Sequence, residues 1–400
     1  MINNTIESWD LMGRVKKDVP AAPKPDAVWE IPGANRLGGN AYVYYANPKF
    51  GLTRPVILSD GFHQGPTDLN GFWNELENGQ YAFATELRRR GYDLVILGYD
   101  DCTASILHNA AVAHRCIERA IAERLGSAPL TVGGFSMGGL ITRYTLARME
   151  NDGMDHQTAV YVSYDSPHHG AWMPIGLQAL AHALRELAPP LSAQVNSPAS
   201  RQLLWRHIAE LGDTPREDPE RTKFLEELKR VGDWPRRPRL LALANGAGKG
   251  NSGVPAGKEA VHGVAGGILD GFALFSQAAG DNKVVFRGGP GLDNLEQRTS
   301  GLPEADGAHG GTLESFELAF KALNAAIPGA VKCPYPSTSF VPTGSALAVG
   351  TDPWTDLSAD ITILDPDKFA LDDWMCASQN ERHTLMTEEL GTWLLERLPR

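Results

Sequence analysis

Cysteine is scarce: Cys102, Cys116, Cys333 and Cys376 are the only four in 400 residues, and no two form a C-x-x-C pair. Reduced thiols are therefore the expectation. Long apolar runs are missing too, and no segment approaches the uninterrupted length that crosses a bilayer, so stable membrane insertion is not expected. The opening Met1-Ile2-Asn3-Asn4-Thr5-Ile6-Glu7 lacks the basic start and apolar stretch of a secretory leader. A cytoplasmic protein is the corresponding expectation. Positive charge is in deficit, with 37 Lys and Arg against 48 Asp and Glu, a formal net charge of −11. That balance argues against nucleic acid and anionic membrane surfaces as partners. Internal repeats and low-complexity tracts are absent.

What is present is an ordinary globular composition, 42% apolar and 21% charged. Its length fits two domains or one large α/β domain with an insertion. Residues 1–26 read as a polar N-terminal arm ending in Ala21-Ala22-Pro23-Lys24-Pro25. Strand-like runs follow at 27–31, 40–45, 55–59, 93–97, 129–135 and 158–164. They alternate with helical patterns at 83–90, before Gly91, and along 106–121, where Thr103 is the candidate cap. That alternation implies a parallel sheet with helices on both faces. After Gly170 the rhythm breaks. Residues 172–236 are helical and polar with no clear strand, and read as a helical cap over the carboxyl edge of the sheet. The core is then 27–171 plus 237–400. The sheet resumes at 240–244; residues 262–311 read as strands and glycine-rich loops, 312–326 as a helix, 361–364 as a strand and 386–398 as a terminal helix.

The chemistry concentrates in Thr131-Val132-Gly133-Gly134-Phe135-Ser136-Met137-Gly138-Gly139-Leu140, which contains G-x-S-x-G. The pattern alone is weak in a glycine-rich chain, but here it joins an apolar strand to a run with helical spacing. A serine in that turn needs glycine two residues to either side, where a Cβ would collide as strand and helix approach. The helix N-terminus then lies beneath any oxyanion formed there.

The order of strand, loop, strand, helix, elbow, strand, insertion and late histidine resembles the α/β-hydrolase superfamily, and within it the lipase/esterase-like branch. The resemblance covers residues 50–170 and, more loosely, the last forty. It implies Ser136 as nucleophile, the Met137 amide as one oxyanion donor, and the Phe62 amide, in Asp60-Gly61-Phe62-His63-Gln64-Gly65, as the second. Asp60 stands where lipases usually carry histidine. The family's triad order, serine then acid then histidine, places the base in Asn380-Glu381-Arg382-His383-Thr384, so His383 is favoured, with His309 as its rival. The usual acid position, after 240–244, holds no carboxylate. Asp165, in Tyr164-Asp165-Ser166-Pro167-His168-His169-Gly170, corresponds to the earlier site used by pancreatic-type lipases; Asp281, Asp352 and Asp356 are the alternatives.

His63 and Trp172 are candidate substrate contacts. Trp172, Met173, Leu177, Leu180, Trp205 and Leu211 either line an apolar cleft or fasten the cap to the core. His168 and His169 lack H-E-x-x-H spacing, and the glycine clusters at 246–250 and 288–291 lack the phosphate-loop form, so neither a metal nor a cofactor is expected. The expected partner is a small-molecule ester with an apolar moiety, cleaved through an acyl-enzyme. Acyl transfer or ester elimination on the same residues, and a non-catalytic binding protein on this fold, are the competing readings. Oligomeric state is not legible.

Overall fold

The computed structural model describes residues 19–33, 36–292 and 294–399. The expected N-terminal arm therefore lies outside the described residues up to residue 18. Its remainder is held by hydrogen bonds from the Ala22 N–H to Asn70 Oδ1 (2.9 Å) and from the Tyr44 hydroxyl to the Pro23 carbonyl (3.0 Å).

Eight strands form the central sheet: β1 (Ala27–Ile31), β2 (Gly39–Tyr44), β3 (Pro55–Ser59), β4 (Asp93–Tyr99), β5 (Leu130–Phe135), β6 (Thr158–Tyr164), β7 (Arg239–Ala247) and β15 (Asp373–Ala377). Their order is β1-β2-β4-β3-β5-β6-β7-β15. The β1–β2 and β2–β4 pairs are antiparallel and every other pair is parallel. β3, β4 and β5 are buried at every residue, as strands covered on both faces must be.

One face carries α1 (Leu69–Glu77), α2 (Phe83–Arg89) and the C-terminal α11 (Glu388–Arg397), whose Phe72, Leu76, Phe83, Leu87 and Leu394 share a core with Leu94, Val160 and Leu241. The other face carries α3 (Ile106–Glu123) and α4 (Met137–Asn151). The cap of α3 is Ser105, not Thr103. Its side chain accepts the His108 N–H at 3.1 Å, while Thr103 turns back to Asp101.

Between β6 and β7 lie four helices, α5 (Ile175–Ala183), α6 (Pro189–Val195), α7 (Pro198–Leu203) and α8 (Pro219–Arg230). Between β7 and β15 the chain forms a second, antiparallel sheet of order β11-β10-β9-β8-β13, from β8 (Glu259–Gly263), β9 (Ala273–Phe275), β10 (Lys283–Arg287), β11 (Glu296–Thr299) and β13 (Val331–Lys332). A two-stranded pair joins β12 (Gly310–Leu313) to β14 (Thr338–Pro342), with α9 (Ser315–Ala326) between them in sequence and the short α10 (Thr343–Ala346) after β14.

Two further expectations change. Residues 361–364 form no strand: Ile361–Ile363 is a 3₁₀ turn capped by Asp360, with Ile363 78% exposed, and the last strand of the sheet is β15. Residues 312–326 are not helical throughout, because Gly310–Leu313 pairs with β14 first. Among the described residues no helix is long and apolar enough to cross a membrane.

Candidate active site

Ser136 stands one residue past β5 with φ 53° and ψ −124°, a left-handed backbone that non-glycine residues rarely adopt. The flanking glycines are sterically required. A Cβ on Gly134 would run into the Gly138 backbone, and one on Gly138 would meet the Ser59 and Asp60 carbonyls. The Ser136 N–H donates to the Tyr164 carbonyl at 2.9 Å, tying the elbow to the adjacent strand. Met137 is the first residue of α4, so its N–H has no partner within the helix and lies at the positive end of the helix dipole.

The loop after β3 comes up against this turn. A Cβ on Gly61 would stand 3.1 Å from Ser136 Cβ, so Gly61, the residue before Phe62, runs directly beside the serine. Asp60 anchors the loop. Its Oδ1 accepts the Gly61 N–H at 2.8 Å, and its Oδ2 lies 2.9 Å from His63 Nε2. His63 is thus turned inward, 7% exposed, with Cys102 Sγ at 3.2 Å from the same nitrogen. Burial alone would lower its pKa, but the Asp60 carboxylate overrides this and holds the imidazole well above its usual value. The ring thus anchors this loop through Asp60.

Asp165 is the first residue past β6, fully buried, with φ 49°. Its Oδ1 accepts the Asn245 N–H at 3.0 Å and its Oδ2 lies 2.7 Å from His383 Nδ1. Because an ionised carboxylate only accepts, Nδ1 carries the hydrogen and the neutral ring keeps its lone pair on Nε2. That nitrogen is buried and has no hydrogen-bond partner among the described residues. The ring is held by the His383 N–H donating to the Thr312 carbonyl (2.8 Å) and by Phe340 packed edge-on at 4.9 Å between centroids. Gly311 is indispensable here, since a Cβ there would collide with Asp165 Oδ2.

The alternatives lie elsewhere. Both nitrogens of His309 face backbone carbonyls, Ala247 at 2.8 Å and Ala359 at 3.0 Å, and burial lowers its pKa. Asp352 and Asp356 cap turns at Trp354 and Ser358, and Asp281 is exposed. The Gly310-Gly311 pair beside His309 thus matters for its missing side chains rather than for the imidazole next to it. Asn245, Thr312 and Phe340, which orient Asp165 and His383, carry no motif that sequence reasoning detects.

His168 and His169 do not face a common centre. Arg143, buried beneath Trp234, points Nη1 at His168 Nδ1 (3.2 Å), and Ser163 Oγ sits 2.7 Å from Nε2. Arginine only donates, so His168 is neutral with its hydrogen on Nε2. Burial first, then the Arg143 charge, keep its pKa well below the usual value. Trp172 is also corrected. Its side chain is fully buried, its Nε1–H donates to Asp306 Oδ1 at 2.7 Å, and no surface is left for a ligand. Trp205 and Trp354 stack beside it at 4.1 Å.

The strand order, with its antiparallel start and a nucleophile-type turn after the central β5, is that of an α/β-hydrolase. No family model and no curated protein matches the chain. Among solved structures it is similar to an esterase from Pyrobaculum calidifontis (13% identity, 57% of this chain and 66% of that one, TM-score 0.37). It is also similar to a Bacillus licheniformis lipase in mature form (14%, 57% and 74%, TM-score 0.32) and to Est1E from Butyrivibrio proteoclasticus (12%, 54% and 76%, TM-score 0.32).

Proposed function

We propose that this protein is a serine hydrolase that cleaves a carboxylic ester with an apolar moiety. Ser136 Oγ attacks the ester carbonyl as His383 Nε2 takes its proton; the tetrahedral oxyanion is held by the Phe62 and Met137 amides. The C–O bond to the alcohol then breaks, the alcohol oxygen takes the proton from His383, and an acyl-Ser136 remains. Water repeats the sequence and returns free serine and a carboxylic acid. Asp165 fixes the His383 tautomer and stabilises the imidazolium. Each oxyanion donor is worth roughly 10²–10³ in turnover.

The observation that carries this reading is the 2.7 Å contact of Asp165 with His383 Nδ1, together with a bare, buried Nε2 on the same ring. A buried ring nitrogen without a partner carries a desolvation cost, and groups held in that way cluster at functional sites. The test is a fluorophosphonate probe followed by p-nitrophenyl esters of graded acyl length. Labelling at Ser136, lost in Ser136→Ala, with turnover of at least one ester, is the expected result. A folded protein that takes no probe and turns over no ester overturns it in favour of a binding protein. Labelling without net hydrolysis, restored by an alcohol acceptor, moves it to acyl transfer.

A further inference from the structure

Asp60, His63 and Cys102 converge where the loop after β3 meets the end of β4. His63 Nε2 lies 2.9 Å from Asp60 Oδ2 and 3.2 Å from Cys102 Sγ, and the three donor atoms all fall within 4.8 Å of one another. None of them moves a proton in the reaction above. One ring nitrogen carries at most one hydrogen, so it cannot bond fully to both neighbours. The carboxylate is the stronger acceptor, leaving the thiol with a shared hydrogen and the Thr67 hydroxyl at 3.5 Å. A cation would use all three donors at once.

We propose that Asp60, His63 and Cys102 form a binding site for a thiophilic divalent cation of the zinc class, distinct from the Ser136 machinery. The ligand set is imidazole nitrogen, thiolate and carboxylate, three protein donors with a fourth position open to water. Tetrahedral zinc at its ordinary bond lengths sets its ligand atoms roughly 3.3–3.6 Å apart, so the two spacings to His63 Nε2 need widen by only a few tenths of an ångström, while Asp60 Oδ2 and Cys102 Sγ already lie within 4.8 Å of each other. Thiolate and imidazole exclude magnesium and calcium, which take oxygen ligands. The charges balance. Binding releases the Nε2 hydrogen and the thiol hydrogen to solvent, and the dication then meets two anionic ligands, so the buried site ends neutral. His63, with 7% of its surface exposed against none for the other two, is the side from which the ion enters.

Occupancy acts on the oxyanion loop. The Asp60 carboxylate that would hold the ion through Oδ2 also accepts the Gly61 N–H through Oδ1, so the ion and the Phe62 amide share one anchor. The experiment titrates the reduced full-length protein with cadmium, reading thiolate-to-cadmium charge transfer in the ultraviolet, with zinc competition followed by calorimetry. Cys333 and Cys376, the two half-buried thiols, are first replaced by serine. Expected are a saturable band at one equivalent in that background, its displacement by zinc with proton release, and its loss in Cys102→Ser. Absence of the band in the background protein overturns the proposal without recourse to any variant at the site. Persistence of the band in Cys102→Ser, in a protein with an unchanged melting profile, overturns it equally.

Discussion

Ser136 and Asp165 stand one residue beyond the ends of two adjacent parallel strands, β5 and β6, paired through Phe135 and Tyr164, and both carry left-handed backbone at φ 53° and 49°. Two strained residues side by side, each with its side chain at the carboxyl edge of the sheet, are costly by roughly 1–3 kcal/mol each. The surrounding bonds, Ser136 N–H to Tyr164 and Asp165 N–H to the Leu243 carbonyl, hold that strain in place.

Asp165→Asn tests the pairing with His383. The amide presents a donor as well as an acceptor to Nδ1 and no longer selects the tautomer with Nε2 bare. Turnover of an activated ester should fall by about 10⁴-fold while KM and the melting temperature change little. Near-normal turnover in a folded variant transfers the acid's role to another residue. His309→Asn serves as the contrast, since its ring is committed to two carbonyls, and it should leave more than half of the turnover per folded molecule.

Gly138→Ala should be far more damaging than an ordinary helix Gly→Ala change, which is usually mildly stabilising. Its methyl group would meet the Ser59 and Asp60 carbonyls, and neither is the end of a flexible side chain. A loss of about 1–3 kcal/mol in a urea titration is expected. Probe labelling at Ser136 should slow as well, because the loop carrying Phe62 is pushed away.

Trp172→Phe separates a fastener from a cleft wall. The indole N–H and the Thr338 hydroxyl both donate to Asp306 Oδ1, while the Gln277 N–H donates to Oδ2; burial raises the Asp306 pKa. Removing the indole donor should cost about 1–3 kcal/mol of stability and leave the KM for esters of every chain length unchanged. A KM that rises with acyl length would return Trp172 to the substrate.

Acid should weaken the fold partly through His169. Burial, then the Arg143 charge, lower its pKa from 6.5 to about 4. The folded value is below the unfolded one, so between those limits the unfolded chain binds more protons and stability rises with pH. The contribution is complete above about pH 6.5 and drains away as pH falls toward 4. Urea midpoints of wild type and His169→Gln, measured from pH 7 to 4, should converge as the pH drops. Parallel curves would reject the assignment.

The sequence carried the central strands well because β3 to β6 are mostly apolar runs of five to seven residues separated by periodic helices, and the elbow's glycines announce their own close contacts. The five-stranded sheet was opaque for opposite reasons. β9 has three residues and β13 two, and the register slips between Val284 and Phe286 and again between Glu259 and Val261. Ile361-Thr362-Ile363 reads as a strand by propensity, but Asp360 caps it into a turn. β15, Asp373-Trp374-Met375-Cys376-Ala377, has no β-branched residue and only its last residue buried, so nothing local marks it as the strand beside β7. The Asp60–His63 spacing was visible, but the approach of Cys102 depends on β3 and β4 lying side by side, which only the tertiary structure supplies.

The bond between Asp165 and His383 closes a loop of 218 residues, and the strand that delivers the histidine is the outermost of its sheet. Contacts of such span form slowly, because the chain's freedom must be surrendered before anything is gained in return. Hydrolytic competence should therefore lag behind the appearance of secondary structure during refolding, and uptake of an active-site label becomes a clock for the docking of one particular edge strand. On the proposed mechanism, a nascent or partly unfolded molecule would carry Ser136 harmlessly, disarmed until the polypeptide has found its final shape.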